Sequence, residues 1–238
     1  MKIKIVHLLI NPEHQKDVSD ERWQSILDKQ KQSIDCFEKL KYKFNSYTQQ
    51  YSIINREELP WNTCWENAII NETCEGNDSY CLSYGHYGAY MAHKRAITQE
   101  FSNDLDALII LEGDVITELN ADDFFNTIKK GYELGVERGS KICSFSGNIV
   151  WLSGNEDYWD KVIHLDKFYD VPHFLLGSLY MIFKSERNNI INNFQTHYWH
   201  SPDVWLAWVY ADKGGLISHK ETIGKQVSGY SALNNTMK

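Results

Sequence analysis

The 238-residue sequence lacks three features that would each assign it to a particular class of protein. No run reaches the roughly 18 consecutive apolar residues that a membrane-spanning helix requires. No Cys-x-x-Cys pair occurs among the five cysteines, so neither a disulfide framework nor a zinc ribbon is expected. A Gly-x-Ser-x-Gly motif is also missing, which argues against a serine hydrolase of the α/β type.

Positive charge is scarce as well. The chain has 24 Lys and Arg residues against 32 Asp and Glu residues, and its formal net charge is -8. Such a chain has no electrostatic attraction for the phosphate backbone of nucleic acids or for anionic membranes. We therefore expect no nucleic-acid partner, and an anionic substrate would need a metal ion or a helix N-terminus to offset the repulsion.

The cysteines and the first residues indicate the compartment. An odd number of cysteines is typical of free thiols in a reducing environment, so we expect a cytoplasmic protein. The opening "MKIKIVHLLI" is apolar, but Lys4 and His7 interrupt it and no small-residue cleavage site follows. This stretch is interpreted as a first strand and not as a signal peptide.

What the sequence does contain is an alternation of strand and helix patterns. Residues 3–10 are rich in β-branched side chains, and residues 19–40 carry apolar side chains at helical spacing behind a Ser19 or Asp20 cap. A strand over 42–52 follows. The later patterns predict helices over 84–101, 120–139, 185–194 and 201–214, strands over 105–115, 141–147 and 174–183, an irregular segment near 151–174, and a polar tail from Gly215. This order predicts a single α/β domain with a Rossmann-type, mostly parallel sheet flanked by helices.

The most informative stretch is "ALIILEGDV", residues 107–115, in which a buried strand runs directly into two acids. Ligands of open α/β sheets bind at the carboxyl ends of the strands, and residues two apart on a strand share a side. Glu112 and Asp114 can therefore face one site, with Gly113 allowing close approach of a ligand. A divalent cation would relieve the repulsion between the two acids. The alternative is a solvated loop whose acids serve solubility.

A second pattern, "LSYGHYGAYMAHKRAI", lies about twenty residues upstream. Gly85 and Gly88 bracket His86, and a predicted helix containing His93 follows. A glycine-led helix start can hold a phosphate or another polar ligand at its N–H groups, although the same pattern often forms only a tight turn. His86 and His93 are seven residues apart on one helical face, so a zinc pair and two packed histidines are both open interpretations.

Together these two segments resemble the family 25 glycosyltransferases, which include lipooligosaccharide and collagen galactosyltransferases. Gly85, Gly88 and His93 match the family's glycine-led helix, and "LEGDV" at 111–115 matches its Leu-Glu-Asp-Asp-Val strand end. The likeness is specific over residues 84–115 and loose over about half of the chain. Two positions depart from the family pattern: Ala92 stands where the family has Ser, and Gly113 replaces the middle Asp.

The resemblance implies a GT-A fold, a nucleotide-sugar donor such as a UDP-sugar, a glycan or other hydroxyl acceptor, and inversion at the anomeric carbon. It also implies a Mn²⁺ or Mg²⁺ ion at the pyrophosphate, for which Glu112 and Asp114 are the candidate ligands. Residues 1–115 would then form the nucleotide-sugar-binding half and residues 116–238 the acceptor-side half. GT-A enzymes often add a late histidine ligand, and His219 fits that position, with His200 as a second choice.

Further site residues follow from chemistry and from fold-level analogy. An inverting transfer needs a carboxylate base, and Asp203 in "HSPDVWLAW" is the candidate, ahead of Asp170 and Asp157; a plain helix-start acid is the alternative. By analogy with the fold, the base pocket forms where the first two strands end. The candidate donor-binding residues are Leu9, Ile10, Asn11, Tyr47, Gln49, Gly85, His86, Gly88, His93, Glu112 and Gly113. Three aromatics in the irregular segment, Trp151, Tyr158 and Trp159, are the candidates for a sugar-acceptor platform.

Two other functions remain open from the sequence. A nucleotide-using methyltransferase with Glu112 on a ribose is one, but "HLLINPEH" after the first strand has no glycine-rich turn. A catalytically silent nucleotide- or sugar-binding protein of the same fold is the other, and Gly113 is the feature that favours it. The donor sugar, the acceptor, the linkage and the oligomeric state are not determined by the sequence.

Overall fold

An eight-stranded mixed sheet forms the centre of the fold. The computed structural model describes residues 1–14, 19–52, 69–70, 81–82, 84–146, 160–172, 178–196, 210 and 214–228. The strands are β1 (Ile3–Leu9), β2 (Ser46–Tyr51), β3 (Ile69–Ile70), β4 (Cys81–Leu82), β5 (Ala107–Glu112), β6 (Val115–Ile116), β7 (Ile142–Ser144), β8 (Ile163–His164), β9 (Phe168–Val171), β10 (Leu179–Phe183), β11 (Leu216–His219) and β12 (Lys225–Gln226). The helices are α1 (Asp20–Glu38), α2 (Tyr84–Glu100), α3 (Ala121–Arg138) and α4 (Arg187–Thr196).

The strand order of the large sheet is β2-β1-β5-β10-β7-β11-β9-β8. β1 pairs in parallel with both β2 and β5, and β7 pairs in parallel with β11, whereas β10 and β9 run antiparallel to their neighbours. Six of the eight strands therefore point the same way, and only β9 and β10 oppose them. The predicted α/β class with a mostly parallel sheet is confirmed. Two small ladders, β3 with β4 and β6 with β12, lie outside this sheet.

Helices cover both faces of the sheet, as parallel strands require. On one face, side chains of α1 and α3 such as Phe37, Phe124 and Ile128 pack in one buried cluster with Ile5 and Ile109 of the strands. On the other face, α2 and α4 pack against the alternate residues of the same strands, in a cluster that includes Val6, Leu108 and Ile110. Because β1 and β5 are buried on both sides, polar side chains are expected chiefly at their ends.

Side-chain caps mark the starts of α1 and α3, and the cap predicted at Ser19 or Asp20 is made by Ser19. The Ser19 side chain accepts a hydrogen bond from the Arg22 N–H at the start of α1, and the Asn120 side chain accepts from the second and third residues of α3. α3 ends at Gly139, whose φ of 64° is the left-handed conformation that glycine adopts without steric cost. None of the helices in the described ranges is long and apolar enough to cross a bilayer.

Two expectations about the second half of the chain were wrong. The polar tail predicted from Gly215 contains β11, a strand of four buried residues inside the central sheet, and β12. The segment interpreted as irregular near 151–174 contains β8 and β9. These strands have two to four residues each, which is too short for alternation to stand out from the surrounding polar sequence.

A network of buried hydrogen bonds joins β1, β2, α1 and β6 near the ends of β1 and β5. His7 Nδ1 lies 2.7 Å from the Tyr47 hydroxyl of β2, and His7 Nε2 lies 3.0 Å from Ser33 Oγ of α1. The Ser33 hydroxyl donates to the Val115 carbonyl at the start of β6. Since that hydroxyl proton is committed to Val115, His7 Nε2 must donate to Ser33, and in the neutral ring Nδ1 then accepts from Tyr47. The network therefore accommodates a neutral His7.

Burial and this network agree on the charge of the ring. Desolvation lowers the pKa of His7 to about 3, partly offset by the backbone carbonyl of Glu112. Burial likewise raises the pKa of Tyr47 to about 12, so its hydroxyl keeps the proton that it donates. The His7 contribution to stability is complete above the unfolded pKa of about 6.5 and is lost as the pH falls toward 3, because only the unfolded chain then takes up the proton.

Acid unfolding tests this assignment. We expect the free energy of unfolding to fall between pH 6.5 and pH 4, with His7 contributing at most about 1.4 kcal/mol per pH unit. His7→Gln, which removes the titrating ring, is expected to flatten that dependence in urea titrations. His164→Gln, a matched change at an exposed histidine of β8, is expected to leave the slope unchanged. Equal slopes for the wild type and His7→Gln would show that His7 is not buried in its neutral form.

Candidate functional site

The candidate site lies at the carboxyl ends of β1 and β5, where the direction of the sheet's connections reverses. From β1 the chain passes through α1 to β2 on one side, and β5 lies on the other side of β1. In open α/β sheets, such a reversal usually opens a crevice outside the strand ends, and this is where ligands commonly bind. Glu112 is the last residue of β5, and Gly113 and Asp114 form the turn that leads into β6.

The turn after β5 lies directly against the end of β1. A Cβ atom at position 113 would lie 2.7 Å from the Leu8 carbonyl oxygen and 3.4 Å from Gln30 Oε1. Contacts that short to a backbone atom do not occur, so the local geometry requires glycine here. A side chain at this position, such as the middle acid of an acidic triplet, has no room beside Leu8.

The two acids leave the strand in different ways. Glu112 continues the alternation of Leu108 and Ile110, whose side chains pack on the α2 face of the sheet. β5 ends at that residue, so the two-residue period no longer governs Asp114, which is partly buried in the turn. The Asp114 carbonyl accepts a hydrogen bond of 2.8 Å from the Val227 N–H. Strand alternation therefore places Glu112 on the α2 face but does not set the direction of the Asp114 carboxylate, and the expectation that both acids face one site stays a prediction.

His93 of α2 lies over the Glu112 carboxylate. Its Nε2 is 3.4 Å from Glu112 Oε1, and its Nδ1 is 2.8 Å from the hydroxyl of Tyr180 on β10. The two rings are stacked, with centroids 5.8 Å apart and an interplanar angle of 9°. His93 and Tyr180 are buried, whereas the side chain of Glu112 is 28% exposed. A chain of polar groups thus leads from the core to a carboxylate at the crevice.

The late strand β12 lies beside the turn that carries the two acids. β12 pairs antiparallel with β6, so that Gln226 lies opposite Val115. The Gln226 side-chain amide lies 3.5 Å from Glu112 Oε2. Glu112 is therefore approached by an imidazole on one oxygen and by an amide on the other, and both distances are long for hydrogen bonds to a carboxylate.

At the end of β1, where the base pocket was predicted, backbone N–H and C=O groups of the candidate residues already have hydrogen-bond partners within the protein. The Gln30 side chain accepts from the Ile10 N–H at 2.6 Å and donates to the Ile10 carbonyl at 3.0 Å. The Asn11 N–H donates to Ser52 Oγ, and the Leu9 carbonyl accepts from the Ser52 N–H. A ligand at this strand end would therefore contact side chains and not the peptide groups of these three residues.

Tyr47 and Gln49, the other base-pocket candidates, belong to the α1 face of β2. The Tyr47 hydroxyl is used by His7, as described above, and the Gln49 amide donates to Glu38 Oε1 of α1 at 3.3 Å. The residue of β2 that faces α2 next to the crevice is Gln50, which lies opposite Leu8. Its side-chain amide donates to the Ala92 carbonyl at 2.9 Å, one residue before His93.

His219 is not brought together with the acids. β11 lies three strands from β5, a separation of about 14 Å at the usual strand spacing, and His219 shares the face of Ile217, opposite to that of Glu112. His219 Nδ1 lies 2.8 Å from the Glu221 carbonyl oxygen and 3.1 Å from the Glu221 backbone nitrogen, and the ring packs edge-on against Phe168. Burial lowers its pKa. Among the described residues, no group of three or more His, Cys, Asp or Glu side chains is arranged to hold a metal ion.

Other predicted residues are placed as follows. α2 begins at Tyr84, so Gly85 and Gly88 lie within its first turns and not before them. Asp170, a secondary candidate for the base, is bound by Arg138, with its Oδ2 at 2.7 Å from Nη2. The side chain of His86, and all of Trp151, Asp157, Tyr158, Trp159, His200 and Asp203, lie outside the described residues.

Three residues of the site were missed by the sequence analysis. Tyr180 lies in the apolar run "LYMIF" and carries no sign of a polar role beyond its hydroxyl. Gln30 and Gln226 lie in polar segments where glutamine is unremarkable. Only the strand register could have found Tyr180, because Tyr180 pairs with Ile110 on the same face as Glu112.

Comparisons with known proteins give structural likeness only. No protein-family model matches the chain, and no curated protein sequence matches it. Two similar solved structures are those of the galactosyltransferase LgtC, one an active-site mutant and one in complex with donor and acceptor sugar analogues. They are 10% and 11% identical to this chain, with TM-scores of 0.43 and 0.41; each likeness covers 90% of this chain and 72% of the LgtC chain.

Substitution of the glycine between the acids tests the close approach to β1. We expect Gly113→Ala to lower the free energy of unfolding by about 1–3 kcal/mol, because the new methyl group must displace the Leu8 carbonyl. Gly88→Ala is the matched control: a Cβ there meets nothing within 4 Å, and the change in a helix is expected to add up to about 1 kcal/mol. Urea unfolding of both variants gives the sign of the change in the free energy of unfolding. A Gly113→Ala variant as stable as the wild type would contradict the close contact between Gly113 and Leu8.

Proposed function

We propose that this protein is a glycosyltransferase that moves a sugar from a nucleotide-sugar donor, probed first as a UDP-sugar, to a hydroxyl group of a glycan or similar acceptor, with inversion. The observation that carries the proposal is the position of Glu112, Gly113 and Asp114 at the carboxyl end of a buried strand beside the point where the sheet's connections reverse. The likeness of residues 84–115 to the family 25 glycosyltransferases supports the same function.

The residues of the turn fit a divalent cation that also binds a diphosphate. Mg²⁺ and Mn²⁺ in nucleotide enzymes are commonly held by one or two carboxylates and by the substrate's own phosphates, so no larger cluster of protein ligands is needed. Asp114 would hold the ion, Glu112 is left for the donor's hydroxyl groups, and His219 takes no part because of its distance. When bound, such an ion supplies Lewis-acid stabilisation of the departing diphosphate. In a chain of net charge -8, it also offsets repulsion of the anionic donor.

The chain's own groups have separate tasks in the proposed reaction. Asp203 takes the proton of the acceptor hydroxyl as its oxygen bonds to the anomeric carbon, while the bond from that carbon to the diphosphate oxygen breaks and the nucleoside diphosphate leaves. Glu112 lies on the α2 face, where a carboxylate can accept hydrogen bonds from the hydroxyl groups of the donor. Trp151, Tyr158 and Trp159 would offer apolar faces to the acceptor sugar.

A second candidate function is a nucleotide- or sugar-binding protein of the same fold without transfer activity. It is favoured by Gly113, because the contact with Leu8 excludes the middle acid of the family's motif. This candidate predicts donor binding without turnover. The two functions are therefore distinguished by incubating the protein with a donor that stabilises it and a panel of sugar acceptors, and by measuring release of the nucleoside diphosphate.

Thermal unfolding with a panel of nucleotides and nucleotide sugars, each with and without Mn²⁺, tests the donor site. At a ligand concentration 100 times Kd, selective binding adds about 2.7 kcal/mol to stability and raises the Tm accordingly. We expect one UDP-sugar to raise the Tm only with Mn²⁺, and Asp114→Asn to abolish that rise. Asp104→Asn, at an exposed acid near the amino end of β5, is the matched control and should respond as the wild type does. An unaltered response of Asp114→Asn would remove the metal role of Asp114.

Asp203→Asn tests the assignment of the base. We expect this variant to keep the Mn²⁺-dependent rise in Tm with the donor but to lose transfer by at least about a hundredfold, since general-base catalysis contributes at least that factor. Release of the nucleoside diphosphate with and without acceptor is the measurement. Full transfer activity in Asp203→Asn would exclude Asp203 as the base.

A further inference from the structure

We propose that Tyr180 and His93 are positioning residues of the donor site: Tyr180 fixes the tautomer of His93 so that the His93 Nε2–H group faces the Glu112 carboxylate and directs it toward the donor. The proposal rests on the proposed function for its ligand. It adds to that function two residues that act through Glu112, one of which, Tyr180, lies in the core.

The first step of the argument concerns the proton of Tyr180. Burial, with a further contribution from the charge of Glu112, raises the pKa of Tyr180 well above its ordinary value, so the hydroxyl remains protonated. A buried hydroxyl that gives its proton to no acceptor carries a desolvation cost. In the part of the chain that the structure describes, His93 Nδ1 at 2.8 Å is its hydrogen-bond partner. Tyr180 therefore donates, and His93 Nδ1 accepts.

The second step follows for the opposite side of the ring. A neutral imidazole with an accepting Nδ1 carries its proton on Nε2. That N–H group points into the region of Glu112, 3.4 Å from Oε1. Although His93 is only 3% exposed, its Nε2 makes no well-aligned hydrogen bond to any described residue. A buried donor in this position is satisfied when the Glu112 side chain rotates slightly toward it, and such bonds commonly shorten when a ligand binds.

The third step concerns what holds His93 in place. The Gln50 amide binds the Ala92 carbonyl, which attaches this turn of α2 to β2, while Tyr180 stacks on the His93 ring from β10. Gln50 and Glu112 lie opposite Leu8 from its two sides, so the three residues form one row across β2, β1 and β5. The helix turn that carries His93 is thus attached on both sides of the strands that form the crevice. A ring fixed in this way can hold a carboxylate in one orientation without moving itself.

The tautomer can be measured without any ligand. In ¹⁵N-labelled protein at neutral pH, we expect the His93 ring to show a protonated Nε2 and an unprotonated Nδ1 in a two-bond ¹H–¹⁵N correlation spectrum. Tyr180→Phe should convert His93 to a mixture of tautomers, since the Nδ1 acceptor then has no donor. Tyr210→Phe, which removes a buried tyrosine hydroxyl that donates to Glu186, should leave the His93 signals unchanged. A protonated Nδ1 in the wild type would overturn the proposal.

Donor binding supplies the functional readout. For the UDP-sugar that stabilises the wild type, we expect Tyr180→Phe to weaken binding about tenfold, which is typical of a weakened hydrogen bond to a charged group, and to leave the affinity for UDP with Mn²⁺ unchanged. His93→Ala should weaken binding of the sugar donor further, and His93→Gln, whose amide can still donate to Glu112, should restore part of it. Tyr210→Phe again controls for the loss of a buried hydroxyl. A purely structural effect would lower the affinities for the UDP-sugar and for UDP by the same factor.

The two ideas fail in different ways. If no nucleotide sugar binds the wild type, the proposed function fails and the donor role of Glu112 fails with it, whatever the tautomer. If the donor binds the wild type and Tyr180→Phe equally well, or if the variant loses UDP and UDP-sugar in equal proportion, the function stands and the positioning role of Tyr180 is overturned.

Discussion

The structure depends on the parallel pairing of β1 with both β2 and β5. Parallel strands cannot be joined by tight turns, so the connections pass over the faces of the sheet, and α1 and α2 bury β1 and β5 on both sides. The interior of these strands is consequently apolar except for Lys4, which pairs with Glu100, and the buried His7. The three carboxyl ends meet at one edge, and the polar residues available for chemistry collect there.

The segment from Glu112 to Val115 is held from both faces of the sheet by the same kind of group. On the α2 face, Tyr180 binds His93, whose other nitrogen faces Glu112. On the α1 face, Tyr47 binds His7, which reaches the Val115 carbonyl through Ser33. In each case a tyrosine whose pKa is raised by burial lies within hydrogen-bond distance of Nδ1 of a buried histidine. The network through His7 ends on the backbone carbonyl of Val115 and has a structural role. The network through His93 ends on the partly exposed carboxylate of Glu112.

The sequence was sufficient where a physical signal extends over many residues. The apolar run of β5, the helical spacing of α1, the helix range that starts at Asn120 and the cap at Ser19 all predicted elements that the structure contains. It was insufficient where the outcome depends on where an element ends or on the position of distant segments. Strand alternation would place Glu112 and Asp114 on one side only if the strand continued, and it ends between them. His219 lies late in the chain as expected of a third ligand, yet β11 places it on the opposite face. The contact of Gly113 with Leu8 and the hydrogen bond between Tyr180 and His93 join residues that are distant in the chain, so no local sequence pattern predicts them.

The pairing of β12 with β6 has a consequence for how the site forms. Gln226 and Glu112 are 114 positions apart in the chain, and the Val227 N–H closes the same turn on the Asp114 carbonyl. Contacts between such distant residues are slow to form, because the loss of chain entropy precedes the stabilisation that they provide. During synthesis, the core strands β1, β2 and β5 can pair long before residue 225 exists, but the acidic turn acquires its final neighbours only after that point. A growing chain therefore contains Glu112 for 114 further positions of synthesis before Gln226 can take its place beside it.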